Sequence, residues 1–537
     1  MKQGFRSRMD EMHTWVGVLF GALLFAIFWT GSLSVFDKEI DRWMMPATRL
    51  SPDAGRALSL DREIRPLLER RAAQSPAWTI ILPGERTPFL TLSYGSEQSR
   101  KSSRILFDPD DMRELPPSLT SGASGFLYPF HHNLTIRRFD IGAWIVGVAS
   151  VAMLCLLVSG IAVHRRLFAE FFTFRPRFGF HRSNLDLHNI TGVLVLPFHI
   201  AITLSGLIIA FSIYFPNAYE TLYPPPAETK AGASRQGETP ERAFLREALG
   251  QERLPKAGRP GGVGSLDAMI AHAETHWGKG SVYLIRVNNP KDAGGNVVLR
   301  RYSADTVSKG IDNFRFAAAD GRPIGNFDAS PTVDAWNFIA GMHYIQFRHW
   351  PLRWLYFLGG LAGCVMIATG LFFWTRRRRK NHLAKGLAGT PLVDAVAIAG
   401  VGGLIAATLA FFVANQCLPR HPDVFGMERE QVEILAFYAT WAFSLLHAGL
   451  RTFGNRRSGH LRAWRELSLL IAPLALAAVA LNWALTGDHL ARTLTQANWP
   501  VAGMDVLLIL GAFLALLAAR RLAAVLDREK LRELAHE

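Results

Sequence analysis

Runs of apolar residues, each bounded by charged or turn-forming positions, divide this chain into oily stretches and two long polar interludes. The runs lie at 16–36, 141–163, 190–213, 352–374, 392–414, 431–450, 467–486 and 502–519. Each is near the ~20 residues a helix needs to cross a bilayer. They predict about eight spans, a polytopic α-helical membrane protein. The first run is too long and too bulky for a signal peptide and is read as an uncleaved span. Inside the first interlude LDREIRPLLERRAA reads as a helix, and WTIIL and FLTLSYG alternate as strands. The second interlude repeats this with LDAMIAHAETHW, SVYLIRV and NVVLRRYS. Two α+β modules are therefore inserted after helices one and three.

The expected organisation runs as follows. Residues 1–36 form the first helix, 37–138 a first module, 139–213 helices two and three with their loop, and 214–350 a second module. Residues 351–380 form helix four with a basic loop, 391–520 helices five to eight, and 521–537 a tail. The first half is written twice. From His13, Gly17 follows at +4, Thr30-Gly31 at +17 and +18, and Phe36 at +23; from His188, Gly192, Ser205-Gly206 and Phe211 keep the same offsets. Ser159-Gly160 and Thr369-Gly370 close spans two and four, and both modules end in F-x3-D-x-R, Phe107 to Arg113 and Phe316 to Arg322.

The net charge of +15 then acquires a location. Arg165, Arg166, Arg175, Arg177 and Arg182 follow span two, and Arg376 to Lys380 follow span four. Arg451, Arg456, Arg457, Arg462 and Arg465 follow span six, and Arg520 and Arg521 follow span eight. The short loops on the other side carry Arg420, Arg429 and Arg492. Basic residues stay cytoplasmic, so both termini are expected there and the modules outside. The charge is a topological signal, not a nucleic-acid surface. Cys155, Cys364 and Cys417 have no disulfide or metal-ligand spacing.

Histidines supply the candidate chemistry. On a straight helix His188 and His199 fall within about 20° of one face and roughly 16 Å apart. An ionisable group at that depth faces a partner in the bundle. Ligation of iron uses the imidazole lone pair, and two stacked histidines suit two b-type haems. The plainer reading of His199 is a hydrogen bond to a neighbouring hydroxyl; that of His188 and His13 is an interfacial side chain. His132 in PFHHNL and His343 in GMHYIQF hold matching places at the outer surface, ahead of His131 and His349. His164 is either a topology residue or a ligand, and Arg165 and Arg166 beside it would suit haem propionates. His447 reads as packing or interfacial. His272 and His276, with Glu274 between, lack a third ligand and read as a solvated helix face. GVGG at 400–403 lies inside a span with no preceding strand, so it reads as close helix packing and not as a dinucleotide site.

The stretches MHTWVG…LFAIFWTGSLSVF, GIAVHRRLFAEFFTFRP, LDLHNITGVLVLPFHIAITLSGL and MHYIQF…LRWLYFLGGLAGCVMIATGLFFW resemble the PepSY-associated transmembrane family, and within it the ferrisiderophore-reductase (ferrioxamine) branch. The resemblance covers residues 1–380 and makes the two modules PepSY-like and periplasmic. It implies an inner-membrane haem b reductase that passes electrons from a cytoplasmic or quinone donor to a ferric siderophore and releases Fe(II). The family's histidines fall on His13, His132, His164, His188, His199 and His343. Depth favours two of His13, His164 and His188 for an inner haem, and assigns His199 to a second with His343 as candidate partner. No flavin or nicotinamide domain is evident in the chain, and a homodimer is compatible with it. Two rivals stand beside this reading: a non-enzymatic membrane tether for an envelope partner, and a permease for the iron complex. Spans one to four show few polar groups at mid-depth, which argues against the permease.

Overall fold

Among the described residues seven helices are long and apolar enough to cross a membrane: Gly4–Ser34, Arg138–Val163, Trp350–Ala384, Gly389–Cys417, Arg429–Gly454, Gly459–Thr486 and Trp499–Leu531. They are called spans one, two, four, five, six, seven and eight. The expected third span is a bent pair, Arg182–Leu194 and Leu196–Ile209, at 62° to each other. Pro197 explains the bend, since it has no N–H to donate and its ring clashes with the carbonyl of Val193. The straight run at 190–213 is thereby corrected. His188 and His199 lie on different segments, and the shared-face argument for them falls. The structure, a computed structural model, describes residues 2–50, 58–95, 102–164, 180–215, 221, 255–301, 304–310, 312–327 and 330–534.

The chain falls into two compact units. One comprises Ala47–Pro117 and Ser205–Arg353. Its centre is a single antiparallel sheet of seven strands: β1 Ala77–Ile81, β2 Leu90–Gly95, β3 Ser102–Phe107, β4 Val282–Asn288, β5 Asn296–Arg301, β6 Asn313–Ala317 and β7 Pro323–Phe327. The order is β3-β2-β1-β4-β5-β6-β7. The two interludes, expected as separate modules, are thus halves of one sheet joined by β1 and β4, with Thr79 opposite Arg286. A strand leaves one edge unpaired unless another covers it, and each half covers the other's. Sequence alternation found β1, β2, β4 and β5 but not β3, β6 and β7, which at six, five and five residues are no shorter than β1.

The helical starts tie the halves together as well. Ser59-Leu60-Asp61 and Ser265-Leu266-Asp267 are the same tripeptide. The Asp61 carboxylate accepts from the Leu266 and Asp267 N–H groups and the Ser265 hydroxyl. The Asp267 carboxylate accepts from Leu60 N–H, Asp61 N–H and the Ser59 hydroxyl. Each aspartate therefore satisfies the orphan donors of the other's helix. Leu60, Ile64, Trp78, Ile80, Val287, Val297, Leu299 and Phe316 are buried together beneath. Both F-x3-D-x-R turns close alike: Asp111 accepts from Arg113 N–H, and Asp320 from Arg322 N–H.

The other unit comprises Met1–Pro46, Ser118–Leu204 and Trp354–Glu537. Residues 37–46 and 118–138, expected in the first module, pack instead against the spans. Phe126 and Phe130 lie against Phe437, and Trp43 packs on Phe412 and donates its indole N–H to Asp505. These are large apolar side chains, worth about 2–3 kcal/mol each when fully buried. Gly400 meets Ala22 of span one, and Gly402 and Gly403 meet Leu467 and Ser444, so GVGG is a packing surface. His447 pairs with Glu466, which Arg451 also grips.

Asp41, beyond the C-terminal end of span one, is half-buried and accepts hydrogen bonds from Ser124 N–H and hydroxyl. Burial raises its pKa to about 7. The folded protein therefore holds this proton more tightly than the unfolded chain. The stability this contributes is full below the ordinary carboxylate range and is lost as pH rises through about 7. Asp41→Asn, which removes the charge and keeps the shape, is expected to melt higher than wild type by a margin that grows from pH 5 and levels off above 7. Apparent melting temperatures of detergent-solubilised protein across that range check it; a constant margin would contradict the assignment.

Candidate functional site

Two histidines from opposite halves of the repeat meet inside the helices. His13 on span one and His188 on the Phe180–Leu194 helix have ring centroids 6.4 Å apart with planes at 85°. Each ring is anchored from behind by the next span. His13 Nδ1–H donates to the Leu156 carbonyl and the Ser159 hydroxyl oxygen, both at 3.0 Å. His188 Nδ1–H donates to the Met366 carbonyl at 2.8 Å and faces Thr369 Oγ1 at 3.3 Å.

The anchors explain why Ser-Gly and Thr-Gly recur. Each hydroxyl spends its own hydrogen on its helix, Ser159 on Cys155 and Thr369 on Val365. Its oxygen is then left to accept. A carbonyl only accepts, so Nδ1 must carry the proton in both rings and Nε2 must carry the lone pair. The following glycine lets the ring approach: a Cβ at Gly160 would stand 3.3 Å from His13 Cε1, and one at Gly370 would stand 3.2 Å from His188 Cε1. Asn184, one turn before His188, donates to the Thr369 carbonyl and holds the two helices in register. Periodicity gave no sign of Asn184, which lies in a polar stretch outside the apolar run.

The same construction recurs twice more. His131 Nδ1–H donates to the Ile27 carbonyl at 2.9 Å, and its ring lies on Gly31, where a Cβ would be 2.7 Å away. Thr30 sends its hydroxyl back to Ala26. In the sheet unit His343 Nδ1 pairs with the Ser205 hydroxyl at 3.1 Å, and its ring lies on Gly206. His132, the expected counterpart of His343, is exposed and meets the Tyr128 ring edge-on. His131 takes its place. Adjacent residues on a helix point about 100° apart, so repeat spacing alone does not choose between neighbouring histidines.

His199 is fully buried, and neither ring nitrogen has a hydrogen-bond partner. The Gly359 carbonyl approaches it but lies outside hydrogen-bond geometry. It packs edge-on to Phe28 at 5.8 Å, and its Nε2 would be 3.3 Å from a Cβ at Gly363. No neighbouring hydroxyl satisfies it, so the plainer reading of this residue loses its partner. His164 caps span two in extended geometry, with its N–H on Gly160. Arg165 and Arg166 lie outside the described residues. His272 and His276 are exposed and rest on Phe314; among the described residues no three His, Cys, Asp or Glu side chains are grouped to hold a metal ion.

These observations test the fit to haem. Two imidazoles ligating one metal from opposite sides, each nitrogen about 2 Å from it and about 1.1 Å from its own ring centre, have centroids roughly 6 Å apart. The His13–His188 separation agrees, and the Nδ1–H bonds to carbonyls are the outer contacts that fix a metal-binding tautomer. His13 and His188 are the residues that would hold the group, and haem bound there would supply one-electron chemistry.

A family model described as the PepSY-associated TM region matches residues 11–377. The chain is also similar to the uncharacterized protein PA4219 of Pseudomonas aeruginosa, at 24% identity over 394 residues, covering 70% of this chain and 89% of that protein.

Proposed function

The chain belongs to the PepSY-associated TM region family, and from that premise we propose that it is a membrane-bound haem b reductase of ferric siderophores. In this reading it sits in a bacterial inner membrane, with both termini cytoplasmic and the sheet in the periplasm, an orientation supported by the basic loops. The observation that carries the reading is the His13–His188 pair, with both Nδ1 protons committed to backbone carbonyls and both lone pairs left over. Haem, when bound, supplies reversible one-electron chemistry. The protein's part is to hold the ring nitrogens, to fix their tautomer through the Leu156 and Met366 carbonyls, and to keep water out with the surrounding apolar side chains. His199, buried and unpartnered, is the second place where a metal would relieve an orphaned imidazole. The substrate is Fe(III) in a siderophore; reduced to Fe(II), it is held less tightly by hard oxygen ligands and is released.

The visible spectrum tests this. Protein purified in detergent from haem-replete cells is expected to be coloured and to change its bands on addition of dithionite. A colourless preparation removes the reading. One observation favours the permease instead: the bent third span, with His199 close after the break, is the kind of discontinuity around which transporters build sites. Colourless protein that moves a ferric complex across vesicles would select that reading.

A further inference from the structure

The seven strands of the sheet hold Arg104, Arg286, Arg300, Arg301 and Arg315, and no aspartate or glutamate. Side chains alternate between the faces of a sheet. Trp78, Ile80, Ile285, Val287, Leu299 and Phe316 point to the face packed by Leu68, Leu266, Met269 and Ala273 of the helices, so the residues between them point the other way. On that second face Arg286, Val298 and Arg315 stand in one row across β4, β5 and β6, with Arg300 two residues along from Val298. The same row continues through Thr79 and Ser93 to Arg104 on β3.

Lys309 joins the group. Its ammonium sits over the Tyr344 ring at 4.6 Å, and burial, with the Arg300 guanidinium nearby, holds its pKa below the usual range. Several other arginines of this unit are matched by carboxylates: Arg65 by Asp61, Arg71 by Glu114, Arg301 by Asp312 and Arg348 by Asp305. Among the described residues Arg286, Arg300 and Lys309 have no carboxylate partner, and Arg286 reaches only the Asn288 side chain. Arg300 and Lys309 are half-buried, so water offsets their mutual repulsion less than it would at an open surface. We propose that this face binds an anionic ferric complex, its iron held by catecholate or carboxylate oxygens, as the substrate of the proposed reductase. The iron in this assignment rests on the proposed function; the sign of the charge rests on the sheet alone.

Three features select that ligand. The first is spread: Arg286 and Arg315 flank Val298 two strands apart, about 10 Å, and Arg300 is diagonal to both at about 7–8 Å. A lone phosphate reaches one or two of these cations, whereas a metal ringed by anionic oxygens presents charge on several sides at once. The second is chemistry, since guanidinium forks suit paired anionic oxygens and Val298 between them offers apolar contact to a catechol ring. The third is the reaction itself. Reduction adds one negative charge to the complex, and neighbouring cations offset it. A hydroxamate complex such as ferrioxamine B carries net positive charge and is repelled.

Gallium(III) replaces iron in such complexes and is not reduced, so binding can be read without electron transfer. The test uses the full chain in phosphatidylcholine nanodiscs, titrated by calorimetry with two gallium probes. One is a triply negative hexadentate tris-catecholamide complex, the other singly positive gallium ferrioxamine B. The negative complex is expected to bind at least tenfold more tightly, and to weaken as salt is raised. Arg300→Gln and Lys309→Gln should each lose about tenfold, the worth of one charge-assisted hydrogen bond. Arg286→Gln should lose several-fold; Arg286 is exposed, so this variant serves if the half-buried ones fail to fold. Arg71→Gln, which removes a paired charge elsewhere in the unit, should change nothing. Equal or tighter binding of the positive complex, unchanged binding in Arg286→Gln, or an equal loss in Arg71→Gln overturns the proposal. So does displacement of the negative complex by phosphatidylglycerol in the disc, which would make the face a lipid site. Coloured protein that prefers the positive complex sinks this assignment alone. Preference for the negative complex by protein that never binds haem keeps the anion site and sinks the reductase.

Discussion

His188→Ala protein is expected to insert and purify, but to lose about half of its haem if two are bound. His13→Ala should lose the same fraction, and the double variant no more than either. One iron held by two side chains is lost when either goes, so the effects are not additive. Thr369→Val is a finer probe, because it leaves the Met366 carbonyl as the sole acceptor for His188 Nδ1–H. Removing an outer-shell partner commonly weakens metal binding ten- to a hundredfold, so this variant should need excess haem to reach the wild-type band intensity. Pyridine haemochrome quantitation measures all four proteins. Full haem content in either alanine variant clears that residue, and additive losses would mean that the two histidines serve different irons.

The second large effect concerns stability. Arg429, expected in a short loop, is 5% exposed at the start of span six and pairs with Glu433, which is fully buried. The guanidinium also donates to the carbonyls of Leu119, Pro419 and Asn415, and Glu433 accepts from Thr120 and Asn415. One ion pair thus fastens the 118–122 segment to spans five and six. Arg429→Met leaves Glu433 as an uncompensated buried charge, and breaking such a pair costs about 3–5 kcal/mol. A marked fall in apparent melting temperature is expected. Arg429→Met with Glu433→Gln should recover much of it, because the stranded charge is gone. Equal losses in the single and double variants would place the effect in the lost carbonyl contacts.

This cluster also bears on spans five to eight, for which the sequence suggested packing or dimerisation. Two of their polar groups hold Trp43 through Asp505 and the 118–122 segment through Glu433. The apolar runs showed where these helices were, because burial in lipid demands an unbroken oily length. They carried no information about which charged residue at a helix start turns inward.

The eight apolar runs, the duplicated unit and the recurring histidine with its Ser-Gly or Thr-Gly partner were readable from residues alone, since each is a local composition or a fixed offset. The spacing of Ser-Gly pairs even held the seats of the rings without showing that they were seats. Tertiary structure alone decided that His13 meets His188, that His131 and not His132 lies on Gly31, that Pro197 parts His188 from His199, and that two interludes share one sheet. Those outcomes depend on which side chains approach across helices and strands far apart in the chain, and on a bend whose angle is set by packing. Offsets along a chain record distances within an element; only the fold sets the distances between them.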